Sequence, residues 1–397
     1  MFKNKKELQK NKIKIGRNVR LLSVYSVFYN FRLHTVLAVI FYAQVTHSYA
    51  LALSIFSIAQ IAQGVFELPS GIYSDRYGRS NCLRIGAVAS LLSIVFYATG
   101  FSYWFLVLGA IFDGMNRAFF SGNNDAFLYE TLDSIGKKHT YGSELGKFNS
   151  NMEFAGFVSA IVGSAIAMYS VQLLFVLSII PQIIGVGLSF LFVEPLVIRQ
   201  HTDSIFNHLK GALSLYVTNM KVRTISFASI LGFGLGESSW AFQAVFYNSL
   251  LPVWAVSIMM SLNFLASTIS FRLSGGLIQK FKAINVLIAE EIYGRVLFFI
   301  ALIYPTVISP LLMGIASLSY GPSVVAKSSI LQEEFTDAQR ATMSSLNSLI
   351  GNAFFAVCAV LIGLVADSFG PAKTLLIAQI CSLPVLLCYI VVKKAKK

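Results

Sequence analysis

Charge is scarce in this sequence. Asp, Glu, Lys and Arg together make up 12% of its 397 residues, against roughly 25% in a soluble domain. Hydrophobic residues make up 56%, which excludes an ordinary globular domain. Acidic residues are the scarcer sign, 18 against 31 Lys and Arg, so the formal charge is +13. Cysteine is nearly absent. The four present, Cys82, Cys358, Cys381 and Cys388, form no spaced framework and three of them sit inside apolar runs, so no disulfide scaffold and no metal site is expected. No paired catalytic set and no nucleotide-binding loop stands out, so the chain is not read as an enzyme and no cofactor is expected.

What the chain has instead is apolar runs. Each is about 20 residues long, enough to cross the hydrocarbon core of a bilayer. They fall at roughly 21–45, 50–73, 82–101, 103–126, 148–169 and 171–193, and again at roughly 224–247, 252–277, 283–304, 306–329, 341–366 and 371–392. This predicts an all-α integral membrane protein of twelve transmembrane helices in two six-helix pseudo-repeats. The first run, about 24 residues, is too long for the core of a cleavable signal peptide. In a soluble protein a charge of +13 would suggest nucleic acid. Here the basic residues sit in tails and short loops, so no nucleic-acid partner is expected and the charge sets orientation. Arg76, Arg79, Arg84, Lys137, Lys138, Lys147, Arg199, Lys210, Lys221, Arg223, Lys280, Lys282 and Arg340 all fall on one side, with the closing lysines. Turns on the other side lack Lys and Arg, Lys373 beside Asp367 excepted. Both termini are therefore expected in the cytoplasm of a multi-pass cell-membrane protein, with Cys82 reachable from that side.

Five segments follow: a basic tail over 1–20, possible on anionic lipid, a six-helix bundle over 21–193, a linker over 194–223, a second bundle over 224–392 and a tail over 393–397. In the linker Ile205, Leu209, Leu213, Tyr216 and Met220 recur at helical spacing opposite Asp203, His208 and Lys210, which predicts an amphipathic helix at the membrane surface. Setting Ser70-Gly71 on Ser274-Gly275, an offset of 204 positions, also sets Arg76 on Lys280 and Tyr77 on Phe281, while Asp75 meets Gln279.

Glu67-Leu-Pro-Ser-Gly71, followed by Asp75-Arg76-Tyr77-Gly78-Arg79, joins two of the runs by a very short connection. Gly71 would let helices approach closely, and Gly78 would supply a turn that other residues adopt at a cost. Asp75 is placed to accept from a helix N-terminus, with Arg76 and Arg79 holding the loop inside. By spacing alone, a simple positive-inside turn explains the stretch equally well. The pattern G-x-x-x-D-R-x-G-R, however, resembles the signature loop of the major facilitator superfamily. The preceding Glu67-Leu-Pro-Ser-Gly71 is similar to E-[LI]-P-[ST]-G of a bacterial, drug-efflux-like branch. Ser121-Gly-Asn-Asn-Asp-Ala-Phe-Leu-Tyr-Glu130 and Arg340-Ala-Thr-Met-Ser-Ser-Leu346 resemble other motifs of that branch. The resemblance implies that Asp75 docks on the start of helix eleven near Arg340, Ala341 and Thr342 when the cytoplasmic side is closed. Two departures stand beside it. Ala110 occupies the place of the superfamily's helix-four arginine, and no proline follows Gly156 and Gly163 in helix five, so the antiporter pattern is missing.

Ionisable residues deep in a span are costly and mark function by default. Arg32, Asp113, Arg117 and Glu237 lie near the middle of the first, fourth, fourth and seventh spans. Asp113 is expected to pair with Arg117 or Arg32, since an unpaired charge there would neutralise. No arginine stands within a turn of Glu237 in sequence, which makes it the better proton carrier. The resemblance puts all four along one cavity path, for substrate, protons or both; an ion-pair network that merely locks helices is the alternative. Glu291 and Arg295, at i and i+4, read as a structural pair. Glu153 and Glu290 are ambiguous, and His34 and His47 lack a matching carboxylate. The expectation is a monomeric secondary transporter working by alternating access, exporting a small amphipathic organic compound in exchange for protons. A symporter importing a nutrient, anionic in view of Arg32 and Arg117, and a non-transporting sensor or scaffold are the alternatives.

Overall fold

The computed structural model describes residues 2–195, 219–334 and 337–395. Among the described residues the chain is helical and contains no strand, as lipid requires of an open chain whose backbone must satisfy its own hydrogen bonds. In the first half the helices are α1 (Phe2–Asn30), α2 (Ala38–Thr46), α3 (Tyr49–Tyr77), α4 (Arg79–Thr99), α5 (Tyr103–Phe120), α6 (Asn123–Ser134), α7 (Tyr141–Ala167) and α8 (Val171–Ser189). In the second they are α9 (Met220–Asn248), α10 (Val253–Phe281), α11 (Ala283–Ile303), α12 (Ser309–Ala316), α13 (Tyr320–Glu334), α14 (Asp337–Phe369), α15 (Pro371–Cys381) and α16 (Leu383–Ala395).

The chain divides into two compact units. One comprises Met1–Thr35 and Ile58–His201, the other Val36–Ser57 and Thr202–Lys397. The first is centred on buried Leu22, Tyr25, Tyr29, Phe120, Phe127 and Phe192. The second is centred on Ile225, Leu287, Ile330, Val385 and Tyr389. Helix α3 starts in the second unit and ends in the first.

The offset of 204 positions read from Ser70 and Ser274 recurs in the backbone. It carries α3 onto α10, both 29 residues long, and α4 onto α11, both 21 residues long. The one-residue joints agree as well. Gly78 between α3 and α4 has φ 98°, and Lys282 between α10 and α11 has φ 66°. At Gly78 the sequence leads to the right expectation, in sharper form: with ψ 158° its backbone lies in a region essentially reserved for glycine. Lys282 adopts the same kind of turn without being glycine.

Among the described residues eight helical spans are long and apolar enough to cross a membrane, fewer than the twelve runs in the sequence. Four runs are not among them, and three of these show why. Asp113, Asn116 and Arg117 dilute the apolar character of α5, and Glu290, Glu291 and Arg295 that of α11. The tenth run is split into α12, a 3₁₀ turn over Ser317–Ser319 and α13.

Four further expectations change. Residues 2–20, read as a tail, form the first turns of α1. The first run is not one helix: α1 stops at Asn30, and a 3₁₀ turn over Thr35–Leu37 leads into α2. Gly71 is exposed and a Cβ there would meet nothing within 4 Å among the described residues, so the close approach lies elsewhere. It lies at Gly114, whose Cβ would sit 2.4 Å from the Ala59 carbonyl oxygen. Cys82 is fully buried, its thiol 3.5 Å from the Ser70 carbonyl oxygen, so no bulky reagent reaches it in the folded chain. The amphipathic linker helix lies outside the described residues, apart from Met220. There α9 begins, with the Asn219 side chain accepting from the Lys221 and Val222 amides at 3.0 and 3.1 Å.

Candidate functional site

The interruption of the first span sits at Phe31–His34, with Arg32 inside it. Neither proline nor glycine explains it. Side chains replace the helical bonds instead. In a continuous helix the Leu33 amide would donate to the Tyr29 carbonyl; here it donates to Ser178 Oγ on α8, at 3.1 Å. The Tyr29 carbonyl accepts from Arg32 Nε at 3.2 Å. The hydroxyl of Ser178 in turn donates to the Leu174 carbonyl and lies 3.2 Å from His34 Nδ1. Gly163 on α7 passes the break so closely that a Cβ would lie 2.9 Å from the Leu33 carbonyl oxygen. His34, buried against Phe175, is thus part of the support.

The break turns Arg32 inward onto α5. Its Nη1 donates to Asp113 Oδ1 at 3.0 Å. The other carboxylate oxygen, Oδ2, accepts from Arg117 Nε and Nη2 at 2.9 and 2.8 Å. Sequence spacing left open whether Asp113 pairs with Arg32 or Arg117; it pairs with both. Arg32 Nη2 reaches Ser90 Oγ at 3.2 Å, and that hydroxyl donates to Gln182 Oε1 at 2.8 Å. With its amide turned so that the oxygen faces Arg32, Asn116 accepts from Nη2 at 2.9 Å and donates to the Gly86 carbonyl at 3.0 Å. The guanidinium also lies over the Tyr29 ring, 5.0 Å from its centroid, and Tyr29 stacks on Phe120 at 3.9 Å. The three charged side chains differ in access. Asp113 is 8% exposed, Arg32 17% and Arg117 41%. One carboxylate faces two guanidinium groups, so the cluster carries one net positive charge and presents it through Arg117.

The loop read as a cytoplasmic gate is a second charged centre of the same unit. Arg79 binds Ser74 Oγ at 2.6 Å, Asn123 Oδ1 at 3.0 Å and Glu130 Oε1 at 3.3 Å, and lies 3.7 Å from Asp75. Its own amide and that of Ser80 donate to the two carboxylate oxygens of Glu194, each at 2.8 Å. Glu194 therefore supplies the anion at the N-terminus of α4, where the exposed backbone donors favour it. Sequence reasoning missed this residue, treating it as the first of the linker. The available signal was a lone carboxylate immediately after the apolar run that ends at Val193. Asp75, Arg76 and Glu67 are exposed, and Arg76 stacks on Tyr77 at 5.3 Å. Arg340, Ala341 and Thr342 lie in the first turns of α14, and their side chains are outside the described residues.

The family model for the Major Facilitator Superfamily matches residues 21–357, which includes the broken first span, the loop and the α5 charges. The chain belongs to this superfamily. It is accordingly a multi-pass membrane transporter rather than an enzyme. Solved structures agree on the fold. The nucleoside transporter NupG superposes with a TM-score of 0.79 at 16% identity, covering 96% of this chain and 99% of that one. A bacterial homologue of the human lysosomal transporter Spinster gives 0.78 at 12% identity, covering 96% and 97%. A D-xylose–proton symporter gives 0.69 at 14% identity, covering 95% and 96%. No curated protein shows significant sequence similarity to the chain.

The predicted site residues of this superfamily member belong to both units. Arg32, Asp113 and Arg117 meet in the first unit. Glu237 lies in the second, half-buried on α9, beside Ser238, whose hydroxyl donates to the Gly234 carbonyl at 2.7 Å. Glu291 and Arg295 form the ion pair expected of them, and Arg295 also ties α11 to Ser382 Oγ at 2.7 Å.

Proposed function

We propose that this chain is a secondary transporter working by alternating access, exchanging protons for a small amphipathic organic compound that it exports. The observation that carries the reading is the Arg32–Asp113–Arg117 cluster at the break of the first span. Charged groups and an irregular backbone at mid-span are tolerated where they line a cavity, and discontinuous helices are a recurring way to build a transport site. Both oxygens of Asp113 are taken by guanidinium groups, which leaves it poorly placed to carry a proton. Glu237, near the middle of the seventh apolar run, is the proposed carrier, and the 33 Phe and 17 Tyr of the chain supply aromatic groups that suit an amphipathic solute. Asp75, exposed at the end of α3, is proposed to dock on the start of α14 near Ala341 and Thr342 when the cytoplasmic side closes.

The net positive charge favours a second reading, import of an anionic nutrient with protons, in which Arg117 meets the anion. The nucleoside and xylose transporters of the same fold show only that this scaffold carries polar solutes elsewhere. Purified protein in liposomes tests both readings once a screen of candidate compounds supplies a transported solute. Uphill movement under an imposed pH gradient gives the direction. Glu237→Gln is expected to abolish uphill transport and to leave solute exchange, which needs no net proton movement. Full uphill transport by Glu237→Gln would remove it as the proton carrier.

A further inference from the structure

The N-terminus of α3 is held by a carboxylate more than 300 positions away. Asp367, near the end of α14, accepts from the Tyr49 amide at 2.7 Å, the Ala50 amide at 3.1 Å and the Ser48 hydroxyl at 2.7 Å. Ser48 is the cap of the helix, its Oγ also accepting from the Leu51 amide at 3.3 Å. The fourth amide of the turn, Ala52, donates to the Ser48 carbonyl at 3.0 Å. One serine and one aspartate thus satisfy the whole first turn, which otherwise leaves its donors unmatched.

Below this contact α3 and α14 run together along a seam of small residues. Gly363 meets Ala50 so closely that a Cβ on it would lie 2.4 Å from the Ala50 Cα. Ser57 donates to the Ala356 carbonyl at 2.7 Å. Seven positions separate Ala50 from Ser57, and seven separate Gly363 from Ala356, so the seam repeats every two turns of antiparallel helices. Tyr49 closes the top with its ring edge on Phe242 of α9, centroids 5.3 Å apart. Beside it lies a cavity of 350 Å³ lined by Gln44, His47, Asn248 and Asp367 among others.

The two ends of the seam differ in their surroundings. Ser57 is 4% exposed, whereas Asp367 is exposed. Water can therefore replace Asp367 at the helix end when it lets go, which makes the contact reversible. Along the seam, small side chains meet and one hydroxyl bond, Ser57 to Ala356, joins the two helices.

We propose that Asp367 is a latch on the outer side of the transporter, a residue that sets how often the α3–α14 seam opens. The proposal rests on the alternating-access reading, because only a transporter that opens to the outside has to part these helices. Closing the outer side places Asp367 on the α3 N-terminus; opening breaks its three hydrogen bonds together and exposes the seam down to Ser57.

Accessibility of Ser57→Cys to a membrane-impermeant maleimide applied from outside, with the four native cysteines replaced by serine or alanine, tests this without any substrate. Asp367→Ala is expected to raise the labelling rate about tenfold, in keeping with the loss of several modest hydrogen bonds at a wet helix end. Gly363→Ala, which wedges the seam with Asp367 intact, is expected to raise it too. Each variant is compared as a monodisperse protein, so that misfolding is not read as opening. Rates within twofold of the parent for both variants would overturn the latch. Loss of solute counterflow in parent and variants alike would instead count against transport by alternating access, and the labelling ratio would still decide the latch.

Discussion

Replacing Asp113 by Asn removes one negative charge from between two positive ones. The amide keeps the shape of the side chain but presents an NH₂ group to a guanidinium. Three charged contacts are lost or weakened, at 3.0, 2.9 and 2.8 Å. Asp113 is 8% exposed and Arg32 17%, so little water is present to take its place. Removing one partner of a buried ion pair costs about 3–5 kcal/mol, mostly because the other charge is stranded. Asp113→Asn strands two, and the upper half of that range is expected. Arg32→Gln in the same chain removes one stranded charge, leaving Arg117, which is 41% exposed and can turn to water. The double variant should therefore be less damaged than the two single changes added together, by about 1–3 kcal/mol. Equilibrium unfolding in mixed micelles titrated with a denaturing detergent measures all three variants against the parent. A loss below about 1 kcal/mol for Asp113→Asn, or strict additivity in the double variant, would show that the cluster does not hold the break of the first span to α5 as its geometry implies.

Two further outcomes follow from the backbone. Glu194→Ala should lower stability by about 2 kcal/mol, the upper end for losing a helix cap, because the amides of Arg79 and Ser80 lose their acceptor; an unchanged unfolding midpoint in detergent would remove Glu194 as the anchor of α4. Lys282→Gly should raise stability by about 1 kcal/mol, since Lys282 holds φ 66° at a strain of about 1–3 kcal/mol while glycine adopts that region freely. A drop in melting temperature on this change would refute the strain.

The sequence alone determined the class of protein, because lipid imposes a coarse rule that composition reveals: long apolar runs with few charges. It also disclosed the repeat, since α3 and α4 match α10 and α11 at the offset set by Ser70 and Ser274, and it picked out Arg32, Asp113 and Arg117 because a charge among apolar residues is visible without a structure. Tertiary structure decided what those charges do. Nothing near Arg32 in sequence forbids a helix; the break exists because Ser178 and the guanidinium itself take over the backbone bonds at Leu33 and Tyr29. Likewise Glu194 and Asp367 each cap a helix from 115 and more than 300 positions away. A helix end needs an acceptor, which local sequence can announce. Which distant carboxylate supplies it depends on how the helices pack.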